Sequence, residues 1–146
     1  MQWVTRENAK TDRIACPWLI KKYIDPEAEF VYVPKENVID TAKQLGGKSF
    51  DTPGADYTHR GNKCSFEVLI EEFKIQDPIV HRLAQIVHGA DVDDPNSVKE
   101  SNGLRAIAEG FYHAGFSDQD KLKHEFPMYD ALYAWCNVQL EKEKSK

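Results

Sequence analysis

The chain has 146 residues, 41% hydrophobic and 29% charged, with 19 Lys and Arg against 24 Asp and Glu for a net charge of −5. That length suits one domain able to bury roughly two-thirds of its unfolded surface, and the acidic balance argues against a broad nucleic-acid footprint, which needs a basic face. Three scattered cysteines (Cys16, Cys64, Cys136) with no Cys-x-x-Cys fit neither a disulfide framework nor a zinc ribbon, no apolar run approaches about 18 residues, and the N-terminus lacks a signal-peptide core; a reducing cytoplasm is the expected location, without membrane or nucleic-acid partners.

In chain order, "QWVT" (2–5) and "EFVYV" (29–33) are rich in β-branched and aromatic residues and predict strands, with "KSF" (48–50) as a third. Between the first two lies an apolar helical segment ending near Ile24, stopped by Asp25-Pro26. It contains Pro17, which has no backbone donor and whose ring clashes with the Arg13 carbonyl. Either the helix begins at Pro17, or it runs from Thr11 and kinks; the expectation is a break that turns Asp12 and Arg13 toward a site.

"KENVIDTAKQLGG" reads as a short helix with a glycine stop. "DTPGADYTHRGNK" (51–63) is a long irregular loop of the kind that is often functional. Ser65 is the expected N-cap of "SFEVLIEEF", and Asp77-Pro78 opens "IVHRLAQIVHGAD". In the polar loop that follows, Asn96 and Asn102 occupy positions six and twelve counted from Asp91, which rules out an EF-hand. "GLRAIAEGFYHAGF" places Leu104, Ile107, Ala108 and Phe111 in helical register. A last element starts at Ser117-Asp118, breaks at Pro127 and resumes toward Leu140, with residues 140–146 as a solvated tail. The expected class is α+β: a mostly helical single domain, 1–146, with a small β-sheet.

His59 and Glu67, from the loop and the helix after it, and His88 and Asp91, from "VHGAD", offer two imidazoles and two carboxylates, a donor set that suits zinc or another first-row divalent metal. Against this, His88 falls roughly 140° from the centre of its helix's apolar face at about 100° per residue, which also describes a solvated histidine near a helix C-terminus. His81 shares that face as a competing ligand. Cys64 precedes a helix N-terminus beside Lys63, where a thiol can be reactive, although a buried structural cysteine is the simpler reading. Arg13, Arg60 and Lys63 could line an anion pocket or be ordinary surface charges. Tyr129, Tyr133 and Trp135 read as core and rim, Cys136 as packing, and Asp130 as a first-turn helix charge. No phosphate-binding glycine loop, serine nucleophile elbow or dinucleotide fingerprint is present.

The runs "TDRIACPWLIKKYIDPEAEFVYVP", "SFDTPGADYTHRGNKCSFEVLI", "IVHGAD" and "YDALYAWC" resemble the chromate-resistance, ChrB-type domain family from about Trp3 to Cys136. The resemblance implies a part in bacterial chromate resistance as a stress response and, in longer members, chromate-responsive transcriptional control. The chain has no room for the extra N-terminal region of those members, so DNA binding is not expected. His59, Glu67, His88 and Asp91 match family motifs, with Asp12 and Arg13 expected nearby.

The reading is a cytoplasmic domain holding one divalent ion, zinc for preference, with a position open to water, a small molecule or an oxyanion. Such a site permits metal-assisted chemistry and leaves open whether the protein is an enzyme. The alternatives are a non-catalytic module sensing chromate or a similar oxyanion through Arg13, Arg60 and Lys63, and thiol chemistry at Cys64.

Overall fold

A computed structural model describes residues 1–145. Strands β1 (Gln2–Arg6), β2 (Glu29–Val33) and β3 (Lys48–Ser49) form a parallel sheet in the order β2-β1-β3. Helix α1 (Asp12–Leu19), continued by a π-helical turn at Ile20–Ile24, links β1 to β2, and α2 (Val38–Leu45) links β2 to β3. Four further helices follow: α3 (Ser65–Glu72), α4 (Pro78–Asp91), α5 (Glu100–His113) and α6 (Asp118–Lys144). The α+β class read from the sequence is the observed one.

Alternation along β1 explains how so small a sheet is covered on both faces. Val4 points to α2, where it packs with Val38 and Ala42. Trp3 faces the opposite side and joins the main core with Trp18, Phe30, Phe50, Phe66 and Leu83. Each such large side chain contributes about 1.5–3 kcal/mol by leaving water. Gly46, at φ +66°, takes the left-handed position that ends α2, as a glycine stop should.

Pro17 lies inside α1 rather than at its start, and Thr11 is the N-cap. The Arg13 carbonyl, which the proline leaves without its intrahelical donor, instead accepts a 2.6 Å bond from the Tyr32 hydroxyl on β2. Asp12 and Arg13 therefore form the first turn of a continuous helix, not the far side of a break.

Several other local expectations change. Cys64, not Ser65, is the N-cap of α3, and its backbone N–H donates to Glu67 Oε1. Helix α5 starts earlier, at Glu100, and buries Leu104 and Ala108 but leaves Ile107 exposed. Helix α6 runs through Pro127 without a break and on to Lys144, so the supposed tail is largely its exposed last turn; Lys146 lies outside the described residues. Asp130 is in the middle of that helix, accepting from Trp18 Nε1 at 2.9 Å and pairing with Lys22.

The N-terminus of α6 fixes the segment that precedes Asp12. Asp118 accepts from the backbone N–H groups of Asn8 and Ala9, and the buried Lys121 donates to the Ala9 carbonyl at 2.8 Å. Among the described residues, no helix is long and apolar enough to cross a membrane.

Candidate metal centre

In open parallel sheets, ligands bind beyond the carboxyl ends of the strands where connections diverge to opposite sides. Here that point lies between β1, whose crossover leads away to β2, and β3 on its other flank. Asp12 follows β1, and Asp51 follows β3 by two residues. Asp51 occupies the left-handed region at φ +52°, a conformation that Asp tolerates better than most residues. Its N–H donates to the Tyr57 carbonyl at 2.8 Å. Ser65 Oγ donates to its Oδ1 at 2.6 Å, so the strained residue is held from two sides.

Asp12 is buried and accepts from the N–H groups of Ser65 (2.7 Å) and Phe66 (3.2 Å), which places its carboxylate on the N-terminus of α3. The long loop returns His59 over both aspartates. Its Nε2 lies 3.4 Å from Asp12, 3.2 Å from Asp51 and 3.2 Å from Asp91, the last residue of α4. One imidazole thus faces three carboxylates, and its own side chain is 44% exposed.

The electrostatics follow from this crowding. Bonds to Asp12 and then Asp51 push His59 up to about 10, so it is a cation at neutral pH. Burial, then the charges of Asp12 and Asp51, push Asp91 up to about 7. Asp12 is also raised, first by burial and then by Asp51, despite its hydrogen bonds.

A second group lies alongside, built from the same ends of α3 and α4. His88, one turn before Asp91 on α4, places Nδ1 2.6 Å from Glu67 Oε1 and Nε2 2.9 Å from Asp94 Oδ2. Burial works against its charge, but the bonds to Glu67 and Asp94 outweigh it and raise its pKa. One ligand atom each from Cys64, Glu67 and His88 fall within 4.8 Å of one another, as do those of Asp12, His59 and Asp91.

The four residues read from the sequence as one ligand set are therefore divided: His59 and Asp91 in one group, Glu67 and His88 in the other. His88 is held between carboxylates and only 13% exposed, so it is not a solvated histidine. His81 joins neither group and bonds the Ile75 carbonyl at 2.8 Å.

The basic residues do not converge on an anion pocket. Arg13 Nη1 donates to the Arg6 and Glu7 carbonyls while Nε pairs with Asp51; Arg60 pairs with Glu72, and Lys63 with Glu71. Cys64 is fully buried, and burial pushes its thiol well up, so a free nucleophile is not what this position provides.

Sequence reasoning missed Asp51 and Asp94 and treated Asp12 only as a neighbour. The position of Asp51 just past a strand was the available signal. Arg105 was missed as well: it donates to the Ala90 and Gly89 carbonyls and closes the C-terminus of α4 beside Asp91.

Fold and site together define a small parallel-sheet α+β domain with carboxylate–histidine clusters at the carboxyl ends of its strands. The chain belongs to the family described as ChrB, C-terminal domain, whose model matches residues 3–136. It is 37% identical over 133 residues to Protein ChrB of Cupriavidus metallidurans, an alignment covering 90% of this chain and 40% of that protein. The chain thus spans about two-fifths of the length of the curated relative it matches. No solved structure matches the chain.

Proposed function

We propose that this chain serves chromate resistance by binding one divalent metal ion between His59 and the carboxylates of Asp12, Asp51 and Asp91, leaving a position for a small oxyanion or water. Family membership supports the role in chromate resistance. The observation that carries the metal is the convergence of three carboxylates on one imidazole.

Two unit charges about 4 Å apart repel by about 4 kcal/mol at an effective dielectric near 20. Three aspartates gathered around one point, two of them buried, cost stability that the single imidazolium offsets only in part. A divalent cation, taking the place of the imidazolium proton, offsets more of it, and carboxylate oxygen with imidazole nitrogen is a donor set for zinc or manganese. Zinc is the metal proposed. Bound there, it would supply Lewis-acid activation of a water or oxyanion.

The protein's own residues hold the geometry. Ser65 and Phe66 fix Asp12, Ser65 Oγ and Arg13 fix Asp51, and Arg105 secures the helix end that carries Asp91. The exposed edge of His59 is the side from which a ligand approaches. Three unpaired thiols fit a cytoplasmic setting.

The test is calorimetric titration of chelator-stripped protein with zinc and with manganese, backed by elemental analysis. One equivalent should be lost in both His59→Ala and Asp91→Asn relative to the wild-type protein. Chromate should then bind the loaded protein and not the stripped one. Metal binding untouched by either substitution would refute the site.

A further inference from the structure

We infer that Cys64, Glu67 and His88 form a second, thiolate-containing metal site, with Asp94 orienting the histidine, separate from the carboxylate-rich group around His59. The arrangement brings sulfur, oxygen and nitrogen donors within 4.8 Å of one another from two helices. Cys64 and Glu67 are the N-cap and third residue of α3, already tied by the bond from the Cys64 N–H to Glu67 Oε1. His88 comes from the last turn of α4.

The two faces of the His88 ring have different partners, and that difference points to a ligand rather than to a simple ion pair. Histidines that bind metal through one ring nitrogen nearly always donate the other N–H to a carboxylate or carbonyl, which fixes the tautomer and raises basicity. Here Nδ1 faces Glu67, while Nε2 is bonded to Asp94. Asp94 is itself held by the Asn96 N–H at 2.8 Å. Gly89 lets this loop and the start of α5 approach: a Cβ there would run into the side chains of Ser97 and Ser101.

Three protein ligands and an open fourth position are the pattern of zinc sites that accept water or another small ligand. Glu67, His88 and Asp94 line a cavity of about 350 Å³ together with Gln85, Asn96 and Ser97, which provides that access. The buried thiol is no obstacle, because a coordinating metal deprotonates it, releasing the proton to solvent. Soft sulfur here, against oxygen-rich donors around His59, gives the two groups different metal preferences.

None of these ligands belongs to the His59 group, so the two sites can fail independently. The experiment is titration of the stripped full chain with cobalt(II), read by absorption. A near-ultraviolet thiolate-to-cobalt band should appear, vanish in Cys64→Ser and His88→Gln, and persist in Asp91→Asn. Asp94→Asn should weaken the band-forming affinity roughly 10- to 100-fold.

Absence of the band in the wild-type protein would overturn the proposal, whatever the His59 group binds. So would a band that survives in Cys64→Ser and disappears in Cys16→Ser, since Cys16 lies 3.7 Å from Asp12. Should Cys64→Ser fail to fold, His88→Gln carries the test: loss of the band supports the site, and a band that survives overturns it.

Discussion

Removing the Tyr32 hydroxyl tests why α1 tolerates a proline in its middle. Pro17 denies the Arg13 carbonyl its intrahelical donor, and Tyr32 Oη replaces that donor at 2.6 Å. Leaving a buried acceptor unpaired costs about 1–3 kcal/mol. The bond is only partly buried, which puts Tyr32→Phe near the lower end, at about 1–2 kcal/mol, or a fall of roughly 2–4 °C in Tm for each kcal/mol in a chain of this size.

In a Pro17→Ala background the new N–H can pair with the Arg13 carbonyl, so the same Tyr32→Phe change should cost only a few tenths of a kcal/mol. Pro17→Ala alone combines relief of the ring clash with a small cavity, and its sign is not the test. The double-mutant cycle cancels both, leaving a coupling of about 1 kcal/mol. Urea denaturation of the four proteins, with unchanged m values, measures it. If Tyr32→Phe costs the same in both backgrounds, within about 0.5 kcal/mol, the explanation of the proline is wrong.

Asp91→Asn should leave the metal-free protein at least as stable as wild type at pH 8, because it removes a charge that burial and two aspartates disfavour; a fall in Tm would contradict this. Glu125 is buried, neither carboxyl oxygen has a partner among the described residues, and burial pushes it up to about 8. A carboxyl raised in the folded state contributes its full stability below the unfolded value of 4.5 and loses it as pH rises toward about 8. Glu125→Met should therefore gain on wild type by a few kcal/mol between pH 5 and pH 9 in denaturant titrations, and parallel pH profiles would dismiss that assignment. Gly89→Ala should destabilise by about 1–3 kcal/mol through overpacking against α5, and thermal unfolding at wild-type Tm would show that the contact yields freely.

Local chemistry alone determined most of the element list. The β-branched runs at 2–5 and 29–33, the Asp77-Pro78 start and the glycine stop at Gly46 act through nearby backbone groups, so they were legible in the chain. Family motifs likewise marked His59, Glu67, His88 and Asp91. What the sequence could not decide was the partition of those residues, because donors far apart in the chain meet only through packing. Asp12 and Asp51 stand together because β1 and β3 are neighbours in the sheet. Asp94 reaches His88 because Gly89 lets α5 close on α4. Pro17 was ambiguous for the same reason: the donor that satisfies Arg13 is Tyr32, on a strand 19 residues away, and no local rule names it.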